Sequence, residues 1–280
     1  MFERLLTILV TVPVIVLCTY LGGESFMLTV ATIAFFSLNE FYFLMEKMGT
    51  RPFVIGGQIL SIFFIFLAFS ATFNQSTLPF YPSSFIKAFW NSPGPAVVTT
   101  LLIILLVYEL FKLKIFFEKS TFFSTIRGSF YTGWLLSYLI LIRNFTTPRF
   151  TFFLIATIWA NDMLAYLIGT YIGRARHKLW GVISPKKTWE GAVGGLVGAL
   201  LSAGFFATIF QMGATHAFIL GTLISLTAQI SDLIESFYKR KAGVKDSGNL
   251  LPGHGGILDR VDSFILTTPV VYYYLLIFGL

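Results

Sequence analysis

The sequence has 280 residues, of which 56% are hydrophobic and only 12% are charged, and its mean hydropathy is +0.79. A soluble globular domain carries about 25% charged residues, so these values exclude a water-soluble fold and indicate a polytopic membrane protein. The single cysteine, Cys18, excludes an internal disulfide and a cysteine-based zinc site. We do not interpret the formal charge of +7 as a sign of nucleic-acid binding, because the basic residues cluster between apolar segments.

Nine segments are long and apolar enough to be membrane-spanning helices, which require about 20 residues. In chain order they cover residues 5–22, 26–45, 53–73, 95–111, 122–142, 151–172, 191–211, 215–235 and 257–279. We interpret the first as a retained span rather than a signal peptide, because no small-residue cleavage site follows it. The segment 74–94 contains Asn, Pro and Gly and is predicted to be an extracytoplasmic loop.

Lys and Arg residues indicate the orientation of these spans. If all nine segments cross the membrane, sixteen basic residues lie on one side and three on the other. Cytoplasmic loops are enriched in Lys and Arg. We therefore predict an all-α integral membrane protein with about nine transmembrane helices, a cytoplasmic N-terminus and a polar cavity that opens to the cytoplasm. Residues 1–150 hold about five spans and residues 151–280 hold the candidate site, within a single membrane-embedded unit.

Acidic residues concentrate in the last two predicted spans. A charge at the bilayer centre costs about 2.5–3.5 kcal/mol on insertion scales, so such residues usually bind a partner or a metal. If the stretch from Ser231 to Arg240 is helical, four residues at helical spacing share one face: Asp232, Glu235, Ser236 and Lys239. Asp259 and Asp262 lie three residues apart at the start of the last span. Carboxylates on two helix faces, joined by a Gly-rich turn, can bind Mg²⁺ through oxygen.

A simpler interpretation is that these charges are solvated at the membrane interface. For the basic residues 239–241 the two interpretations have equal weight, because the positive-inside rule also explains them. Carboxylates contribute little to topology, so the simpler interpretation explains Asp232, Asp259 and Asp262 poorly. His254 lies between glycines and could either tolerate a tight turn or act as a ligand or acid.

A second polar stretch covers residues 184–191. Pro185 disfavours helix in the residue before it, and Thr188 is suited to cap the next span. The N–H groups at that helix start, with Lys186 and Lys187 beside them, predict a phosphate site; a loop that follows the positive-inside rule is the alternative. Four glycines on the next span allow close helix packing: Gly191, Gly194, Gly195 and Gly198.

The 27 residues from Ser236 to Asp262 resemble the signature of the phosphatidate cytidylyltransferases, or CDP-diacylglycerol synthases. They read S-F-Y-K-R-x4-K-D-x-G-x2-L-P-x-H-G-G-I-x-D-R-V-D. Further positions are similar to the same family: residues 184–191, Asp162 with Ala165 and Tyr166, residues 231–236, and Glu40 on the second span. At position 231, where that family has Gly, this chain has Ser.

The resemblance implies a homodimer of nine-helix chains in the bilayer of a bacterial inner membrane. It implies that CTP and phosphatidic acid react to give CDP-diacylglycerol and pyrophosphate, with Mg²⁺ as cofactor and a monovalent cation such as K⁺ as an option. The residues implied in catalysis are Asp232, Asp259, Lys239, Arg260 and His254. Those implied in binding substrate phosphates are Ser184, Lys186, Lys187, Thr188, Arg240, Lys245 and Asp246. The implied metal ligands are Asp232 and Asp259, with Asp262, Glu235 and Ser236 as second-rank candidates.

Other functions are alternatives to this one. A CTP-dependent lipid kinase, or a cytidylyltransferase for another lipid phosphate, fits the same residues, because no residue indicates the chemistry of the lipid chain. The motif of CDP-alcohol phosphotransferases is absent from the sequence. An ion-coupled transporter would show paired interrupted helices and an internal repeat, and the sequence has neither.

Overall fold

The structure is a computed structural model that describes residues 2–72, 83–116, 119–145, 148–173, 177–250 and 255–280. The elements in these ranges are α1 (Phe2–Leu21), α2 (Gly23–Lys47), α3 (Val54–Ser70), α4 (Ser83–Asn91), α5 (Pro93–Lys112), α6 (Thr121–Gly128), a π-helical segment (Ser129–Trp134), α7 (Leu135–Phe145), α8 (Arg149–Tyr171), β1 (Lys178–Trp180), β2 (Ser184–Thr188), α9 (Trp189–Ile209), α10 (Ala214–Lys241) and α11 (Leu258–Phe278). Each of the nine predicted spans overlaps a helix, and the fifth is composed of α6, the π-helical segment and α7.

Within the described residues, six helices are long and apolar enough to cross a membrane: α2, α5, α8, α9, α10 and α11. Helix α3 and the Leu9–Leu21 part of α1 are apolar but shorter. Large apolar side chains are exposed on the longer helices, for example Leu28 (60% exposed), Leu101 (61%) and Leu201 (65%). Exposed apolar surface of this extent suits contact with lipid rather than water. The protein is therefore a multi-pass helical membrane protein.

By internal packing the chain divides into two compact units. The first comprises Met1–Pro148 and Tyr238–Val261. In it α2 and α3 pack against each other, and both contact the π-helical segment and α7. The core of this unit contains buried aromatic rings, among them Phe41, Trp134 and Tyr138. Trp134 Nε1 also donates a hydrogen bond to Thr99 Oγ1 at 2.8 Å, so the indole is both packed and hydrogen-bonded.

Helix α4 lies in the segment that was predicted to be a loop. Residues 74–82 of that segment are outside the described residues, whereas Ser83–Asn91 is helical. Trp90 is only 1% exposed and stacks on Trp134 with ring centroids 4.9 Å apart. Pro93, one of the prolines of this segment, is the first residue of α5, and a proline is well tolerated at a helix start. The prediction of a loop over residues 74–94 did not include this helix, and its placement outside the cytoplasm stays a prediction.

The second unit comprises Arg149–Phe237 and Asp262–Leu280. Helix α8 packs along α9, and the glycines of α9 form the contact, as predicted. A Cβ atom placed on Gly194 would lie 2.7 Å from Ile168 Cβ, and one on Gly191 would lie 3.0 Å from the carbonyl oxygen of Ala165. Both distances are shorter than normal packing allows, so the close approach requires glycine.

A short antiparallel hairpin precedes α9 and was not predicted. Lys178 pairs with Thr188, and Trp180 pairs with Ser184. The chain is therefore mainly helical, as expected, but it also contains two short strands that were not expected. The strand that contains Pro185 and the two lysines is short and does not alternate polar with apolar residues, so it gives no period-2 signal.

Candidate active site

Lys239 and Asp259 are brought together in the first unit. Lys239 lies near the end of α10 and Asp259 in the first turn of α11. Lys239 Nζ donates a hydrogen bond to Asp259 Oδ1 at 2.7 Å, and the two side chains are 12% and 8% exposed. An ion pair shielded from water to this extent fixes both side chains more firmly than a surface pair does.

Backbone N–H groups also hold the Asp259 carboxylate. The N–H of Gly256 donates to Oδ2 at 2.8 Å, and the N–H of Ser247 donates to the same oxygen at 3.1 Å. Hydrogen bonds to the charged form stabilise an ionised carboxylate. Asp259 is therefore oriented by backbone from both ends of the Gly-rich segment 247–257, through Ser247 and Gly256.

Three other carboxylates gather in the second unit. Ligand atoms of Asp232, Glu235 and Asp262 all lie within 4.8 Å of one another. Asp232 is partly exposed, whereas Glu235 and Asp262 are 1% and 8% exposed. Asp232 and Glu235 lie one turn apart on α10, and the Ser231 hydroxyl beside them donates to the backbone oxygen of Asp262. Ser231, where the resembled family has Gly, thus links the two helix segments that carry this cluster.

This donor set fits a divalent cation such as Mg²⁺. Its ligands are all carboxylate oxygens, which hard cations prefer. Carboxylates this close in a buried environment repel one another unless a cation or a proton neutralises them. Ser236, a further predicted ligand, donates to Asp232 Oδ1 at 3.4 Å. Of the five predicted ligands, the structure gathers Asp232, Glu235 and Asp262, places Ser236 against the first of them, and holds Asp259 within the first unit.

A pocket of about 360 Å³ lies beside this cluster in the second unit. It is lined by α8, the hairpin, α9 and α10, and several predicted residues face it: Asp162, Tyr166, Ser184, Lys186, Lys187, Thr188 and Asp232. Lys187 Nζ lies 2.5 Å from Asp232 Oδ2. The pocket therefore contains basic and acidic groups on opposite elements, an arrangement suited to a polyphosphate with a bound cation.

Thr188 caps α9, as predicted. Its hydroxyl oxygen accepts a hydrogen bond from the N–H of Gly191 at 3.1 Å. The cap fixes the start of the helix next to Lys187, and Lys186 is exposed at the same end. The two lysines therefore lie beside the start of α9, as the phosphate-site prediction requires, and they belong to strand β2 rather than to a loop.

Four of the remaining predicted residues lie in the first unit: Arg240, Lys245, Asp246 and Arg260. Arg240 Nη1 donates to the carbonyl oxygen of Val244 at 3.0 Å, and Lys245, Asp246 and Arg260 have exposed side chains. Asp246 lines a second pocket, of about 520 Å³, between α2 and residues 244–250. His254 lies outside the described residues.

Two polar contacts in the second unit were not predicted from the sequence. His177 Nδ1 and Glu190 Oε1 are 2.5 Å apart, although His177 belongs to no motif. Gln229 donates to Asn161 Oδ1 at 3.2 Å, and Ser225 donates to the same oxygen at 2.7 Å. Neutral polar residues inside apolar spans are the pattern that would have indicated this network.

Comparison with known proteins gives a consistent result. A family model described as "Cytidylyltransferase family" matches residues 2–278. The phosphatidate cytidylyltransferase of Bacillus subtilis (strain 168) is 32% identical, and the alignment covers 100% of this chain and 99% of the relative. The phosphatidate cytidylyltransferase of a Synechocystis species is also 32% identical, over 98% of this chain and 96% of the relative. The protein of that name from Staphylococcus haemolyticus is 45% identical over 41% of this chain and 44% of the relative.

Proposed function

This chain belongs to the cytidylyltransferase family and is a nucleotidyltransferase, and we propose that it condenses CTP with phosphatidic acid to form CDP-diacylglycerol and pyrophosphate. The observation that carries the proposal is full-length similarity to relatives named for this activity. The carboxylate cluster beside a pocket that contains lysines supports it. The reaction is a step of phospholipid biosynthesis.

In the proposed reaction a phosphate oxygen of phosphatidic acid attacks the α-phosphorus of CTP. The new P–O bond forms as the bond from the α-phosphorus to the oxygen that bridges it to the β-phosphorus breaks, and that oxygen leaves with pyrophosphate. The lipid phosphate is already ionised near neutral pH, so the reaction requires no strong general base. Transfers of this kind depend mainly on positioning and charge neutralisation.

In this proposal, basic residues neutralise the negative charge of the substrate phosphates. Lys186 and Lys187 line the pocket of the second unit and are the proposed ligands of the triphosphate, with Ser184 and Thr188 beside them. Lys239, Arg240, Lys245 and Arg260 are proposed to bind phosphates of either substrate, and His254 and Asp246 remain candidates. Lys187 contacts Asp232, so the same lysine can orient a metal ligand and bind a phosphate.

We propose that Asp232, Glu235 and Asp262 hold Mg²⁺, with Asp259 and Ser236 as the remaining candidate ligands. When bound, Mg²⁺ neutralises part of the triphosphate charge and polarises the phosphoryl group under attack. A monovalent cation such as K⁺ is a candidate second ion. Ser231 and Ser236 hold the backbone of Asp262 and the carboxylate of Asp232, respectively, and so keep this donor set in place.

The finer membrane arrangement is also a proposal. Nine spans, a cytoplasmic N-terminus and a polar cavity open to the cytoplasm are supported by the sixteen-to-three distribution of Lys and Arg between the two sides. We place the protein in the inner membrane of a bacterium as a homodimer. Residues 1–150 act as the N-terminal membrane region and residues 151–280 as the catalytic region.

The test is pyrophosphate release by purified protein in detergent, supplied with CTP, phosphatidic acid and Mg²⁺. Release should require both the lipid and the metal, and Asp232→Asn should lower the rate about 100-fold or more. Loss of a group that only hydrogen-bonds to a metal ligand typically costs about 10- to 100-fold in activity, and loss of a ligand itself should cost at least as much. The matched control is Glu24→Gln, which changes an exposed carboxylate at the start of α2 and should leave the rate unchanged.

Other outcomes would assign another reaction. Lipid-dependent formation of CDP without pyrophosphate would identify a CTP-dependent lipid kinase. Release with a different lipid phosphate but not with phosphatidic acid would identify a cytidylyltransferase of another lipid. Folded protein that releases pyrophosphate with none of these substrates would overturn the proposed function.

A further inference from the structure

Glu40 is a buried carboxylate in the last third of the second predicted membrane span. It lies in α2 and is 9% exposed. A charged residue at such a position usually has a specific partner and a function. The ion pairs among the described residues do not include Glu40, and the described groups that donate to its carboxylate are neutral.

The described partners are Ser247, in the segment that precedes α11, and Ile257 and Leu258 at the start of that helix. Glu40 Oε1 accepts a hydrogen bond from the N–H of Ile257 at 3.0 Å, and Oε2 accepts one from the N–H of Leu258 at 2.8 Å. The hydroxyl of Ser247 also donates to Oε2, at 2.9 Å. Helix α11 begins at Leu258, so Glu40 caps a helix that lies more than 200 residues away in the sequence. The partial positive charge of a helix start stabilises a carboxylate there.

Two glycines of the segment fit closely around the same carboxylate. A Cβ atom placed on Gly248 would lie 2.6 Å from Glu40 Oε1, and one placed on Gly256 would also overlap the carboxylate group. Any larger residue at either position would displace Glu40. The two glycines therefore let the backbone reach the carboxylate from two directions.

The segment that Glu40 holds also holds Asp259, and Ser247 contacts both carboxylates. Ser247 donates its hydroxyl to Glu40 and its N–H to Asp259. Gly256 donates its N–H to Asp259 Oδ2 at 2.8 Å and directly precedes Ile257. Two short hydrogen-bonded links thus join the carboxylate of Glu40 to that of Asp259 through one segment of backbone.

We propose that Glu40 is a positioning residue for the reaction proposed above: it fixes the backbone that orients Asp259 and its partner Lys239. Glu40 does not need to touch either substrate for this role. The proposal rests on the proposed function for its kinetic consequences, but the order of the segment can be measured without substrate.

The experiment compares Glu40→Gln with the wild type and with Glu46→Gln, a control on the exposed surface of the same helix. Glu40→Gln keeps the size of the side chain but turns an N–H₂ group toward backbone N–H donors. We expect kcat to fall about 10- to 100-fold, as for a displacement of reacting groups by about 1 Å, with little change in KM for CTP. Amide hydrogen exchange should become faster in residues 244–250 and 255–262, while the apparent Tm in detergent stays near that of the wild type. Glu46→Gln should change none of these quantities.

A structural role would give a different pattern. If Glu40→Gln lowers Tm and speeds exchange in all helices, with kcat unchanged for the folded fraction, the positioning role is wrong. Unchanged kcat together with unchanged exchange would overturn it as well. If Glu40→Gln does not fold, Ser247→Ala removes one of the three hydrogen bonds and should still lower kcat and speed local exchange; no effect of that variant would refute the proposal. A wild type inactive with CTP and phosphatidic acid would refute the proposed function, and the exchange comparison would still decide whether Glu40 orders the segment.

Discussion

Glu109 and Arg127 form a buried ion pair in the first unit. Arg127 Nη2 lies 2.8 Å from Glu109 Oε1, and the side chains are 5% and 0% exposed. The same guanidinium nitrogen donates to the carbonyl oxygen of Phe116 at 2.6 Å, and Tyr238 donates its hydroxyl to Glu109 Oε2 at 2.8 Å. Glu109 thus connects α5 and α6 to the part of α10 that carries Lys239.

Removing one partner of this pair should destabilise the protein strongly. Arg127→Met leaves the Glu109 charge buried without its cation, which typically costs about 3–5 kcal/mol. We expect a clearly lower Tm in detergent for Arg127→Met, and partial recovery when Glu109→Gln is added, because the double variant buries no charge. Lys114→Met, which alters an exposed lysine, is the control. A Tm for Arg127→Met equal to that of the control would contradict the structural importance of the pair.

At the scale of secondary-structure elements, the contact between α8 and α9 depends on glycine. A Cβ atom on Gly198 would lie 3.0 Å from both the carbonyl carbon of Ala160 and Leu164 Cβ. Backbone cannot move aside as a flexible side chain can. By contrast, a Cβ atom on Gly204 of the same helix would lie 3.6 Å from the Phe218 ring, which is an ordinary contact.

The two glycines should therefore respond in opposite ways to alanine. Gly198→Ala should lower the free energy of unfolding by about 1–3 kcal/mol through overpacking. Gly204→Ala should leave it unchanged or raise it by up to about 1 kcal/mol, because alanine favours helix over glycine. Thermal unfolding of both variants in detergent checks the difference, and equal Tm values would show that α8 and α9 do not pack this closely.

At the scale of the whole molecule, the proposed orientation places α4 outside the cytoplasm and the end of α5 inside it. Because Cys18 is the single cysteine, a Cys18→Ser background allows one new thiol at a time. Lys87 on α4 and Lys114 after α5 both have exposed side chains and suit this purpose.

In intact bacterial cells, a membrane-impermeant maleimide should label the Lys87→Cys variant. The Lys114→Cys variant should be labelled only after the cells are permeabilised, because the positive-inside rule places it in the cytoplasm. Labelling of both variants in intact cells, or of neither, would require an even number of spans between the two positions and would overturn the proposed topology.

The sequence alone determined the membrane class, the approximate position of each helix except α4, the Thr188 cap and the family. These properties follow from hydropathy over about 20 consecutive residues and from motifs whose residues are close together in the chain. The spacing of Asp232 and Glu235 on one helix face was predicted for the same reason. Helix α4 and the hairpin were missed, since a short amphipathic helix and a short polar strand each give a weak local signal.

Only the tertiary structure decided which charged groups meet. Glu40 binds the N–H groups at the start of α11, Asp232 and Glu235 lie near Asp262, and Lys187 contacts Asp232. Each of these contacts depends on how separate helices and strands pack, and packing leaves no periodic pattern in the sequence. The sequence showed which carboxylates were too costly to bury without partners, and the fold selected the partners.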